Sequence, residues 1–211
     1  MNSIEKLINK LCPNDVQWKE LGEITITKGG YTPSKKKNIY WQNGSIPWFR
    51  MEDIRHNGRI LDNSIQHVNK CAIRGKPFKE NSIILATTAT IGEHALITKP
   101  FICNQQFTIF TIKQSFEDLI KNKYLYYYFF IINEWCKKNI KTSSFPSVDI
   151  RQLFKFKIPI PPIEVQEKIV KILDKFDVLV NDLSQGLPAE IKARNKQYEY
   201  YRDKLLSFER K

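Results

Sequence analysis

The chain has few of the groups from which reactive centres are built. Its four cysteines, Cys12, Cys71, Cys103 and Cys136, never fall within two to four residues of one another, so the paired spacing of a zinc site is missing. They are expected to be reduced thiols, mostly buried. The three histidines, His56, His67 and His94, form no His-x-x-x-His pair. Glycine is sparse, with 8 residues, and none is arranged as a phosphate loop: Arg74-Gly75-Lys76-Pro77 lacks both the spacing and the hydroxyl residue, and Gly29-Gly30 leads into Pro33 and three lysines rather than a helix. No G-x-S-x-G elbow occurs. The longest unbroken apolar run, Tyr124 to Ile132, is far short of the roughly 18 residues that span a bilayer. The first residues show no basic-then-apolar signal region. These absences together favour a soluble, cytoplasmic binding protein over an enzyme, with no catalytic residue, metal or cofactor of its own.

What is present is a globular composition and an excess of positive charge. Hydrophobic residues make up 42% and charged residues 27% of 211, enough for a core without staples. Lys+Arg number 34 against 22 Asp+Glu, a net charge of +12, which points to a polyanionic partner. Residues 1–150 hold +8 of that excess, with the densest cluster at Lys28, Lys35, Lys36 and Lys37. A lysine-rich composition would supply part of this without any function. Clustering in Gly/Ser/Thr loops favours phosphate contacts.

Texture changes along the chain. Up to about residue 160 it is irregular and aromatic, with strand-like stretches at Glu23–Thr27, Ile46–Arg50, Ser82–Ala86, His94–Thr98, Phe107–Ile112 and Phe156–Ile160. A helix is expected over 4–11, and another from a Ser115/Asp118 capping box to Lys138. The second is apolar nearly all round and therefore reads as core rather than as a base-stacking platform. A single helical turn is expected over Asp149–Leu153. Pro159, Pro161 and Pro162 close this region, and Pro162 suits the first turn of a helix. From there Ile169, Leu173, Phe176, Val180, Leu183 and Leu187 follow steps of four and three, a heptad seam. The seam continues at Ile191, Tyr198, Tyr201 and Leu205 through a stutter where Gly186 and Pro188 are placed to kink or break the helix. An arm of about 45 residues at ~1.5 Å each outreaches a small domain, so a partner helix is the simpler cover for the seam. The expected class is α+β: a globular α/β domain with a small mixed sheet over 1–160, then a long helical, coiled-coil arm over 161–211.

With these features the chain resembles the DNA-specificity (S, or HsdS) subunit of type I restriction-modification enzymes. The resemblance covers nearly its whole length. It is carried by Trp18-Lys19-Glu20-Leu21-Gly22-Glu23-Ile24, by Lys28-Gly29-Gly30-Tyr31-Thr32-Pro33, and by Tyr40-Trp41-Gln42-Asn43-Gly44-Ser45-Ile46-Pro47-Trp48 with Asp53-Ile54. Further matches are Ile83-Ile84-Leu85, Thr90-Ile91-Gly92, Asn104-Gln105-Gln106-Phe107 and Lys123-Tyr124-Leu125-Tyr126. The most specific stretch runs from Ile158 through Pro161-Pro162-Ile163-Glu164-Val165-Gln166 to Val170, and Gln197 to Leu206 resembles the end of the family's helical region. Val165 departs from the pattern, which commonly has Glu and Gln adjacent. Family members typically carry two target-recognition domains and two helical regions, whereas this chain shows one of each and no internal repeat.

The resemblance implies a target-recognition domain that reads one half of a split double-stranded DNA site. It also implies a helical region that pairs antiparallel with a second copy and spaces the two recognition domains. Type I methyltransferase subunits, which bind S-adenosylmethionine, would dock on the pair, and ATP-using restriction subunits would join them. A homodimer then reads a palindromic bipartite target. Side-chain chemistry nominates Lys28, Lys35, Lys36, Lys37 and Lys141 for phosphates. It nominates Thr32, Thr87, Thr88, Gln105, Gln106, Ser143 and Ser144 for base edges, and Arg50 for guanine. A plain loop role stays open for each, and local hydrogen bonding is the stronger alternative for Gln105 and Gln106. A stand-alone dimeric DNA-binding regulator and a small nuclease or methyltransferase are the rival readings.

Overall fold

The computed structural model describes residues 8, 10–12, 15–141, 145–182 and 188–208. Most of the expected 4–11 helix lies outside them. The chain divides into two compact units, one formed by Met1–Lys19, Phe116–Ile131 and Lys157–Lys211, the other by Glu20–Ser115 and Ile132–Phe156. The boundary expected at 160/161 thus falls inside the first unit.

The second unit is built on a five-stranded sheet. Its strands are β2 (Thr25–Gly29), β4 (Ile60–Leu61), β6 (Ser82–Ala86), β7 (His94–Ile97) and β9 (Phe107–Ile112), in the order β2-β9-β6-β7-β4. All neighbours are antiparallel except β4 and β7, which run parallel. A second sheet has the order β5-β3-β8, from β3 (Ile46–Phe49), β5 (His67–Val68) and β8 (Ile102–Cys103), with β3 and β8 parallel. Ile84, Ala95, Ile97, Phe101, Phe107 and Ile109 form the main core with Phe49 and with Met51 and Ile54 of helix α2 (Met51–Asn57). Trp48, Val68, Ala72 and Ile102 form a smaller core, against which Tyr31, Tyr40, Trp41 and Phe78 pack. Two-residue strands β10 (Ile140–Lys141) and β11 (Ser147–Val148) pair antiparallel, and helix α4 (Ile150–Phe154) follows.

One expected strand is displaced. The alternation at Glu23–Thr27 predicts a strand, but Leu21–Ile24 forms one helical turn, α1, and β2 starts at Thr25. Leu21 and Ile24 are both fully buried, which a three-residue helical step achieves and strand alternation does not. The turn is pinned by Leu21 N donating to Phe156 O and Thr25 Oγ1 donating to Leu21 O.

In the first unit, β1 (Gln17–Glu20) pairs with β12 (Lys157–Ile160). Helix α3 (Asn122–Lys138) begins later than its capping signal indicates, because Ser115 lies in a 3₁₀ turn over Gln114–Phe116 and Asp118 in a further turn. The reason is tertiary. The fully buried amide of Gln166 donates to Leu119 O at 2.8 Å and Pro161 O at 2.7 Å and accepts from Lys121 N at 2.9 Å, holding residues 119–121 out of the helix. The aromatic run of α3 is core as expected: Tyr124 and Tyr126–Phe129 are buried, and Tyr124 Oη donates to Pro159 O.

The C-terminal region is helical, in two pieces: α5 (Ile163–Asp182) and α6 (Pro188–Leu206). The expected arm is formed by these two helices, which meet each other at described residues. Phe176 of α5 stacks on Tyr201 of α6 with ring centroids 5.6 Å apart. Phe208, beyond α6, meets Trp18 of β1 edge-on, which returns the chain antiparallel along α5. Ile169, Leu173 and Leu205 are buried in the chain itself, and Tyr198 sets its ring edge against Phe130. The side chains of Val180 and Ile191, and residues Leu183 and Leu187 entirely, lie outside the described residues. Ile169, Leu173 and Leu205 are thus covered within the chain, because a helix that folds back buries apolar area without a second molecule, while Tyr201 stays 38% exposed.

Candidate nucleic-acid interface

Polar residues from four distant segments of the second unit converge. Gly30 starts the arrangement. Its N–H donates to Phe107 O, and a Cβ there would lie 2.0 Å from Asn104 O, so only glycine lets the chain lie this close to residues 103–107. Tyr31 N then donates to Cys103 O at 2.7 Å, and the next residue, Thr32, donates its hydroxyl to Gln105 Oε1 at 2.6 Å. Gln106 is held from two sides: its N–H donates to Asn104 Oδ1, and its side-chain oxygen accepts from Asn104 Nδ2. Its backbone oxygen accepts from Thr87 N at 3.0 Å. Thr88 bridges to Ser147 of β11, whose partner in β10 is Lys141. Thr32, Gln105, Gln106, Thr87, Thr88 and Lys141 thus form one connected series.

These side chains differ in what they offer. Thr87 is buried, with its hydroxyl against Thr108 Oγ1, so it supports the patch rather than facing outward. Thr88 is half-buried, and Gln105 is exposed with its amide free to meet a base edge. Lys141 pairs with Asp149 at 2.7 Å. That lysine holds the Asp149 carboxyl below its ordinary value, and the carboxylate also caps α4 by accepting from Arg151 N and Gln152 N. A phosphate would have to compete with Asp149 for Lys141. Ser143 and Ser144 lie outside the described residues.

Arg50 stands apart from this series. It lies over the Trp48 ring at 5.2 Å and pairs with Glu52 at 2.9 Å, while its N–H donates to Asp53 Oδ2 at the start of α2. The family-like Asp53 is fully buried and also accepts from Ile65 N, a structural role. Lys28 is exposed at the sheet edge on β2, and Lys35 and Lys36 are exposed in the loop that follows. Lys37 reaches Tyr40, with Nζ 3.3 Å from its hydroxyl and above its ring.

The loop between β6 and β7 is held in shape by backbone geometry. Ala89 and Gly92 both have positive φ, and a Cβ on Gly92 would lie 2.0 Å from Asn133 Oδ1 of α3. Sequence reasoning missed that Asn133 lies against this turn, since nothing local connects residue 133 to residue 92. Burial pushes the Cys103 thiol well up and the Cys136 thiol up to about 12, so both are inert core groups. Among the described residues no cluster of His, Cys, Asp and Glu is arranged to hold a metal, and no helix is long and apolar enough to cross a membrane.

The fold is shared with solved HsdS subunits. One from Thermoanaerobacter tengcongensis superposes with a TM-score of 0.63 at 17% identity, covering 96% of this chain and 49% of that one. One from M. genitalium gives 0.55 at 16%, covering 81% of this chain and 42% of that one. The family model for the type I restriction modification DNA specificity domain matches residues 13–193, and the chain belongs to that family. Among its relatives are the EcoprrI and the EcoR124I/EcoR124II specificity subunits of Escherichia coli. They are 49% and 41% identical over 99% and 92% of this chain. Those alignments cover 53% and 49% of the relatives, so the chain spans about half the length of the curated relatives it matches.

Proposed function

We propose that this chain is a non-catalytic specificity subunit of a type I restriction-modification system, acting in the cytoplasm to read one half of a bipartite double-stranded DNA site. The observation that carries this reading is the convergence of Thr32, Gln105, Gln106 and Thr88 into one polar surface beside exposed lysines. Short hydroxyl and amide side chains discriminate base edges, and lysines supply affinity without sequence information. The helical region serves as spacer and as the docking element for methyltransferase subunits, with a restriction subunit as a further partner. A second copy of this chain supplies the other half-site, which makes the target palindromic.

The test is methylome sequencing of a host that expresses the chain with its methyltransferase subunits. A bipartite palindromic methylation motif is the expected result. A motif with one half alone would remove the homodimer, and no motif together with no capture of a methyltransferase subunit would remove the specificity-subunit reading.

A further inference from the structure

A second surface of the same unit is basic, although its residues are scattered in the sequence. Residues 24–51 and 63–79 contain nine lysines and arginines and not one carboxylate. The fold lays part of one stretch on the other. Asn69 N donates to Tyr40 O at 2.8 Å, joining the 3₁₀ turn Asn38–Tyr40 to the 3₁₀ turn Lys70–Ala72. Arg74 N donates to Tyr31 Oη at 3.0 Å, and its guanidinium lies 4.9 Å from the centre of the Tyr31 ring. The lysine loop 35–37 and the segment 70–76 therefore belong to one lobe, packed on the small core of Trp48, Val68, Ala72 and Ile102. Lys35, Lys36, Lys70, Arg74 and Lys76 are all exposed on it.

The lobe is tied to the polar patch through two adjacent residues. Tyr31 receives Arg74, while Thr32 bonds to Gln105. A surface offering hydroxyls and amides is thus joined, one residue apart, to a surface offering uncompensated cations. Charges of one sign on a small area repel each other, which favours a polyanion over open solvent as their neighbour.

We propose that this lobe is a sequence-independent clamp on the DNA phosphate backbone beside the half-site, with Lys70, Arg74 and Lys76 sharing the role of Lys35 and Lys36. The inference rests on the DNA-reading function proposed above. It assigns affinity to the lobe and specificity to the patch around Thr32 and Gln105.

The experiment uses the chain assembled with its methyltransferase subunits, and measures binding to the methylome-derived target and to a scrambled duplex across a salt series. One variant is Lys35→Gln with Lys36→Gln and Lys70→Gln, none of which has a side-chain bond to lose. A second is Lys70→Gln with Arg74→Gln and Lys76→Gln. A control is Lys138→Gln with Lys155→Gln and Lys157→Gln, exposed lysines outside both the lobe and the helical region. In both lobe variants the slope of log K against log salt becomes shallower by about 0.9 for each phosphate no longer neutralised, on target and scrambled DNA alike. The ratio between the two duplexes stays the same, and the control keeps the wild-type slope. An unchanged slope in both lobe variants, or a loss in the control as large as theirs, overturns the clamp while leaving target reading intact. A changed target-to-scrambled ratio also overturns it, since the lobe would then read sequence. Failure of the wild-type assembly to bind either duplex overturns the reading on which the clamp rests.

Discussion

The hydroxyl of Thr32 donates to the amide oxygen of Gln105 across 2.6 Å, although 73 positions separate the two in the chain. This bond orients the Gln105 side chain, whose free N–H₂ and remaining lone pair are the groups a base edge can meet. Both residues lie at the surface, so the bond is worth little to folding and much to positioning.

Thr32→Val keeps the side-chain shape and removes the donor. Stability should change by less than about 1 kcal/mol. Discrimination between the target and single-base variants should fall by about 1–3 kcal/mol at the positions read there. Competition binding against a mismatch series measures this, and undiminished discrimination would take the pair out of the reading surface.

Gln166→Leu should destabilise the chain by about 3 kcal/mol, because Leu119 O, Pro161 O and Lys121 N each lose their buried partner. Urea unfolding reads the loss directly. A cost below about 1 kcal/mol would mean that water replaces the amide at all three groups.

Gly92→Ala should cost at least about 2 kcal/mol, from the left-handed backbone at φ +94° and from the collision with Asn133 Oδ1. Combining it with Asn133→Gly should recover the collision share and leave the backbone share. Thermal unfolding of the two variants checks the split, and equal losses in both would place the whole cost in the backbone.

Asp177 gives a pH-dependent prediction. Burial, and Asp174 beside it, hold its carboxyl above the ordinary 3.8, with Lys123 acting in the opposite direction. The folded state therefore keeps this proton more tightly than the unfolded chain. Its contribution to stability is fully present below pH 3.8 and is lost as pH rises through the folded value. Asp177→Asn should thus gain stability relative to wild type as pH climbs from 3.8 into the neutral range. Denaturation midpoints of both proteins over that range test it, and a pH-independent difference would contradict the assignment.

The proposed homodimer must use surfaces that the chain leaves open. Val178 on α5 and Tyr200 on α6 are 58% and 61% exposed, whereas Leu173 is fully buried. Val178→Asp with Tyr200→Asp should give folded monomers by light scattering, and Leu173→Asp should unfold the chain. A dimer untouched by the outward pair would move the interface elsewhere.

Much of this molecule was legible from local pattern. The apolar run of α3, the strands at 82–86, 94–97 and 107–112, and the family-like stretch at 158–170 each announce themselves within a few residues. Helix and strand periodicity are local properties, and so is a motif. The positive charge is likewise read from composition alone. Tertiary structure alone decided what is joined over distance. It set Gln166 against the turn before α3, Asn133 beneath the 88–92 turn, and Arg74 on Tyr31. It folded α6 back on α5, where the heptad steps admit a partner helix from the same chain or from another. A seam records that an apolar face will be covered, because burial is favourable whatever supplies it. Which surface supplies it depends on how the chain closes, and no residue states that locally.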